Sequence, residues 1–180
     1  MKAVENVEMV GLMAIESEIS RDSILAEIHE TFKDVSREGG VSWNESKVID
    51  LYGGPDEREE ARRADTETHW SQLVDDANWS VLPGVGGFNF LDEIGFRYYL
   101  PPAMIRCVQS GCDEGICVYL MERRPEFQSH AKRQQSLLDI RQRSCIARFL
   151  LYMARKYDHF YDWNLALNSG WRRYLEPDRC

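Results

Sequence analysis

The chain has 180 residues, of which 43% are hydrophobic and 29% charged, with a net charge of −8 and a pI near 5.1. That is enough sequence for one domain with a real core, and the composition excludes a disordered chain. The acidic balance excludes a general nucleic-acid binder, which needs a basic footprint to displace counterions. The charge is uneven: residues 1–76 hold 19 Asp and Glu against 8 Lys and Arg, whereas residues 77–180 hold 11 against 14. An acidic half of this kind steers a basic partner, or simply solvates helix surfaces.

Residues 1–19 form an ambiguous N-terminal arm, and 20–180 read as a single globular domain. The apolar stretch Met9 to Ile15 is short and followed by Glu16 and Glu18, so neither a signal peptide nor a membrane span is expected. A first helix is expected from Ser20 or Asp22, because Ile24, Leu25, Ile28, Phe32 and Val35 recur at helical spacing. Gly39-Gly40 end it. Ser42 and Glu45 carry the S-x-x-E capping-box signature, with Val48, Ile49 and Tyr52 continuing an apolar face. After Gly53-Gly54, Pro55 starts a third helix whose first turn is crowded with acids; it is expected to reach about Val74, burying Ala61, Ala64, Thr68, Trp70 and Leu73. Glu59 and Arg63 make an i,i+4 pair on it.

Asn78 to Gly87 reads as a loop. Residues 88–100 are expected to form a β-hairpin: Phe88 to Leu91, a turn at Asp92–Gly95 with Gly95 left-handed, and a return strand Phe96 to Leu100. Arg97 and Tyr99 then share one strand face, with Pro102 opening a helix beyond it. Residues 116–123, "ICVYLMER", read as strand or buried helical turn, since periodicity admits both. A further helix starts near Ser136 or Asp139, with Ile146, Phe149, Leu150 and Met153 inward and Arg141, Arg143, Arg148 and Arg155 outward. The fold class expected is therefore α+β, mainly helical with one small antiparallel hairpin.

Few chemistries find support. "PGVGGF" lacks the Gly-Lys-Ser/Thr of a phosphate loop. Cys107, Cys112 and Cys117 are too widely spaced for structural zinc and read as buried thiols. No Gly-x-Ser-x-Gly occurs. Glu60, Asp65 and His69, close together on an expected helix, are the alternative metal-assisted or acid–base group. Tyr98 and Tyr99 read either as core residues with hydrogen-bonded hydroxyls or, for Tyr99 with Arg97, as interface hot spots.

The order of segments resembles an uncharacterised bacterial family, a domain of unknown function in small cytosolic proteins. The resemblance is carried by "IHETFKDV", "VSWNESKVIDLYG", "EEARRADTETHW", "FLDEIGFRYYLPPAMI", "IRQRSCIARFLLYM" and "ALNSGW". Its central mark is FLDxxGFRYYLP. Pro101-Pro102 stand where members carry one proline followed by alanine. The resemblance implies a cytoplasmic bacterial domain and assigns no catalytic residue.

The reading that follows is a small acidic cytoplasmic protein-binding module, with an immunity or antitoxin protein that occludes a basic toxin as its concrete version. Glu57, Glu59, Glu60, Asp65, Asp75 and Asp76 are the expected partner-binding surface, with Arg97 and Tyr99 as outlying candidates. No catalytic residue, cofactor, direct nucleic-acid contact or membrane contact is expected. A metal-assisted enzyme and a structural homo-oligomer, such as a homodimer, are the alternatives.

Overall fold

Local chemistry sets where the helices begin. A computed structural model describes residues 19–81, 86–111, 115–121, 125–157 and 162–175. Ser20 opens α1 (Arg21–Phe32) with a capping box, its hydroxyl accepting from the Ser23 amide and the Ser23 hydroxyl accepting from the Ser20 amide. Ser42 and Glu45 do the same for α2 (Trp43–Asp50), as the S-x-x-E spacing predicts. Pro55 is the first residue of α3 (Pro55–Ala64), whose entry is closed by the Glu57 carboxylate accepting from the Gly54 amide at 2.7 Å.

α3 stops earlier than expected. It buries none of its residues, and Asp65 leaves it in extended backbone. The chain then runs irregularly to a short 3₁₀ turn, Trp70–Leu73, where Trp70 and Leu73 are buried as expected, while Ala64 and Thr68 stay exposed. The Asp65 carboxylate accepts from both the amide and the side chain of Asn44 on α2, at 2.8 and 2.7 Å, and these bonds hold it out of the helical path.

The β-hairpin does not exist. Among the described residues every regular element is helical, so the fold class is all-α rather than α+β. A 3₁₀ turn, Gly87–Phe90, leads into α4 (Glu93–Ser110), a single helix that passes through Pro101 and Pro102. Two prolines remove two helical N–H donors, normally a reason for a helix to break. Here the helix is buried on all sides: Gly95, Phe96, Tyr98 to Ile105, Cys107 and Val108 are all inaccessible, which is the pattern of a central core helix. Burial on every face outweighs the local strand-like signals of the aromatic and proline residues.

Gly95 is helical rather than left-handed. It is glycine because a Cβ there would lie 2.4 Å from the Val41 carbonyl. Asp92 is the N-cap, accepting from the Gly95 amide at 2.8 Å and the Val41 amide at 3.0 Å, so one carboxylate starts α4 and ties it to the strap before α2.

Ile116–Leu120 resolves as a short helix, α5. α6 (Pro125–Gln134) follows, and the Gln134 side chain donates to the carbonyls of Phe88 and Leu91. α7 (Ile140–Tyr157) buries Ile146, Phe149, Leu150 and Met153 as its period predicts. α1 packs against both α4 and α7, and Arg148 of α7 pairs with Glu27 of α1 at 2.8 Å. α8 (Trp163–Ala166) and the turns Leu167–Trp171 and Arg172–Tyr174 close the core, with the Trp171 indole donating to the Leu120 carbonyl at 2.6 Å. Cys107, Cys117 and Cys145 are buried, as expected of structural thiols, whereas Cys112, Cys180 and residues 1–18 of the expected arm lie outside the described residues. Among the described residues no helix is long and apolar enough to cross a membrane.

Candidate functional site

α2 and α3 form a helical hairpin, and its base is the most elaborated polar region of the described structure. Tyr99, fully buried on α4, puts its hydroxyl there. That oxygen accepts from the Trp43 amide at 2.9 Å and from Arg37 Nη1 at 3.1 Å, and donates to Glu67 Oε1 at 2.9 Å. Arg37 also donates through Nη2 to the Asp65 carbonyl at 3.0 Å, and its guanidinium lies 3.5 Å from the Glu67 carboxylate and 3.8 Å from that of Asp65. The Asp65 and Glu67 side chains are only 8% and 9% exposed, so one half-buried arginine serves two nearly enclosed carboxylates. Beside this knot, Arg62 of α3 holds the buried Glu45 of α2 at 2.8 Å.

Above the knot lies a cleft of about 450 Å³. Asp65, Glu67 and Asp76 line it together with Asn44, Lys47 and the indoles of Trp43 and Trp79. The two indole rings meet at 5.2 Å, and Trp43 also touches the rings of Tyr99 and Phe88. Arg106 covers Trp79 from the α4 side at 5.4 Å. The cleft therefore combines packed aromatic rings with a lining of three carboxylates against one lysine.

The expected surface residues divide. Glu57, Glu59 and Glu60 are exposed on α3, Asp75 is exposed, and Asp76 is at the cleft wall. Glu59 pairs with Arg63 at 3.2 Å, the i,i+4 pair expected. Glu57, Glu60 and Ala64 recur at three- and four-residue steps, so they make one stripe of α3, and Ala64 lines the cleft. Asp65 is inside the knot rather than on an open face.

Arg97 and Tyr99 do not share a face. Two residues apart on a helix they point to nearly opposite sides, and the strand argument for pairing them fails with the strand. Tyr99 is a core residue with a fully bonded hydroxyl, and half-buried Arg97 donates to the Leu137 carbonyl at 3.2 Å.

The premise that Glu60, Asp65 and His69 share one helix also fails, because α3 ends at Ala64. Both His69 ring nitrogens are engaged: Nε2 donates to the Lys33 carbonyl at 2.9 Å, and Nδ1 accepts from the Ser71 amide at 3.2 Å. Gly86 and Gly87 of the glycine-rich stretch have left-handed backbones and press against α2, their amides donating to Asp50 and to Ser46, each at 2.8 Å. Those amides are unavailable to a phosphate; the remainder of "PGVG", residues 83–85, lies outside the described residues.

Burial pushes the Tyr99 phenol far above its ordinary value of 10.0, with the neighbouring Glu67 charge adding to the effect, and Tyr98 is raised by the same causes in the same order. Below pH 10 both phenols are neutral whether the chain is folded or not, and their contribution to stability is complete. Above that pH the unfolded phenols ionise first, so stability falls as pH rises. The expected result is an unfolding free energy that declines above pH 10 by up to about 1.4 kcal/mol per pH unit for each phenol, read by denaturant unfolding. Tyr98→Phe/Tyr99→Phe should flatten that decline whatever it does to stability at neutral pH. A decline equally steep in the double variant refutes the assignment.

Sequence reasoning passed over Arg37, Asn44, Trp43, Glu67 and Trp79. The only local signal was the Ser42–Glu45 box, which places Trp43 and Asn44 at the first turn of α2.

These features define an all-helical protein with a buried polar knot beneath an acidic, tryptophan-based cleft. Residues 20–175 match the model of a family of unknown function (DUF6714), and the chain belongs to that family. Comparison with curated proteins and with solved structures returns no match.

Proposed function

We propose that the protein is a small acidic binding module that docks a basic protein through the α2–α3 hairpin. The observation that carries this reading is the continuity of the hairpin surface. At its tip, Tyr52 is 95% exposed and held at a φ of 59°, and Leu51 beside it is 67% exposed. From the tip the Glu57–Glu60 stripe runs down α3 to the acidic cleft at the base. A left-handed backbone is unusual for a residue other than Gly, Asn or Asp, and here it holds an aromatic ring out in solvent. Tyrosine is enriched at interface hot spots, and a flanking field of one sign accelerates encounter with a partner of the other.

The concrete form of the proposal is a cytoplasmic immunity or antitoxin protein. Its acidic hairpin enters the basic substrate cleft of a toxin, and a lysine or arginine of that toxin enters the acidic cleft beside Trp43 and Trp79, where the carboxylates attract a cation. Glu60 is exposed and carries no ion pair among the described residues, and Asp76, whose carboxylate accepts from the Asn78 amide at 2.8 Å, lines the cleft, so these two charges sample the stripe and the cleft.

The test is co-expression with the product of the neighbouring gene, co-purification at low salt, and surface plasmon resonance on the complex. Glu60→Lys/Asp76→Lys is expected to lower the association rate about tenfold and to weaken its salt dependence. Tyr52→Ala is expected to raise the dissociation rate by a similar factor. Absence of any complex at low salt, or a complex indifferent to all three substitutions, overturns the proposal.

A further inference from the structure

A second concave site lies on the opposite, basic half of the chain. Between the end of α5, α6, α7 and the last turns is a cavity of about 90 Å³. Lys132 of α6, Arg143 of α7 and Arg173 of the C-terminal turn all line it, and no aspartate or glutamate among the described residues does. Three cations thus meet around one cavity in a chain of net charge −8.

Arg143 is preorganised there. Its Nε donates to the Leu138 carbonyl at 3.0 Å and its Nη2 to the Gln135 carbonyl, which fixes the guanidinium plane. Nη1 remains accessible and without a hydrogen bond. The Tyr174 ring is flanked by two guanidiniums, Arg143 at 5.7 Å and Arg173 at 4.9 Å from its centroid. Two like charges drawn to one phenol repel each other, and a bound anion would relieve that repulsion while accepting from both forks. The rest of the wall combines apolar and aromatic side chains, Leu120, Met121, Ala131 and Trp171 among them, with the polar Gln128, Gln135 and Ser169, and Trp171 is held in place by its bond to the Leu120 carbonyl.

We infer that this cavity binds a small organic phosphate, its oxyanion held by Arg143, Arg173 and Lys132 and its short apolar or planar stem lying against Tyr174 and Trp171. A cavity of this volume has room for several water-sized groups, roughly a phosphate head and a few carbons. Arginine forks match phosphate oxygens two at a time, and a dianion suits three cations better than a carboxylate does. The site is independent of the acidic hairpin and survives if the docking proposal fails.

The experiment is isothermal titration of the full chain at low salt with phenyl phosphate, inorganic phosphate, benzoate and phenol as probes, followed by NMR of the indole and arginine side-chain resonances. Expected is saturable one-site binding of phenyl phosphate, weaker binding of inorganic phosphate and of benzoate, and none of phenol. Lys132→Gln/Arg173→Gln changes two exposed side chains and should leave the thermal midpoint in place while cutting phenyl phosphate affinity about tenfold or more. Arg143→Gln should do at least as much, with an unfolding scan to separate loss of binding from loss of fold. Affinity unchanged in the folded double variant, equal binding of phenol, or no saturable heat from phenyl phosphate overturns the assignment.

Discussion

Arg37→Ala is expected to destabilise the protein by about 3–5 kcal/mol, the cost typical of breaking a buried ion pair by removing one partner. The reason is geometric. Asp65 and Glu67 are almost enclosed, and among the described residues Arg37 is the one cation paired with either. Its loss leaves both carboxylates without a paired cation, Asp65 keeping its bonds from Asn44 and Glu67 its bond from Tyr99, and also removes one of the two donors to the Tyr99 hydroxyl. For a chain of this length the thermal midpoint should fall by roughly 6–20 °C.

Arg37→Lys retains the charge but not the planar fork that reaches the Tyr99 hydroxyl, the Asp65 carbonyl and the Glu67 carboxylate together, so its cost should be intermediate. Adding Glu67→Gln to Arg37→Ala should recover part of the loss, because the amide oxygen still accepts from Tyr99 and one buried charge has gone. Denaturant unfolding of the three variants decides the matter. A loss under about 1 kcal/mol for Arg37→Ala would mean the knot behaves as a surface pair, and its burial would count for nothing.

This knot also shows why part of the site was illegible from residue order. Arg37 meets Asp65 and Tyr99 across separations of 28 and 62 residues, and neither helical nor strand period links positions so far apart. Ser42 with Glu45, and Pro55 with its acidic first turn, were legible because a cap acts over three or four residues. α7 was legible because one of its faces meets the core and the other meets water. α4 was misread for the opposite reason. It is buried all round, so it has no amphipathic period, and its aromatic residues, Gly95 and Pro101-Pro102 each carry a local strand or turn meaning that tertiary burial overrides. Gly95 in particular looked like a turn residue, whereas what it accommodates is the Val41 carbonyl.

The second large effect is expected at Trp70, which closes the C-terminal end of α1. The last carbonyls of a helix have no intrahelical donor. Here the Trp70 indole donates to the Phe32 carbonyl at 2.8 Å, and the preceding residue, His69, donates to that of Lys33. The indole is 1% exposed and lies against the rings of His29 and His69, at 5.3 and 5.0 Å. Trp70→Ala should therefore cost about 3–5 kcal/mol, as truncation of a large buried aromatic does.

Trp70→Phe separates the two contributions. It keeps much of the ring and loses the donor, yet the Phe32 carbonyl still accepts from the Val35 amide at 3.0 Å, so the lost hydrogen bond should cost only about 1 kcal/mol. The gap between the two variants then measures packing. Hydrogen exchange supplies the local readout: the Val35 amide should stay protected in Trp70→Phe and lose protection in Trp70→Ala, where nothing holds the turn after α1 against the Trp70–Leu73 segment. If the two variants lose equal stability, the indole hydrogen bond, and not the packing of the ring, is what closes α1.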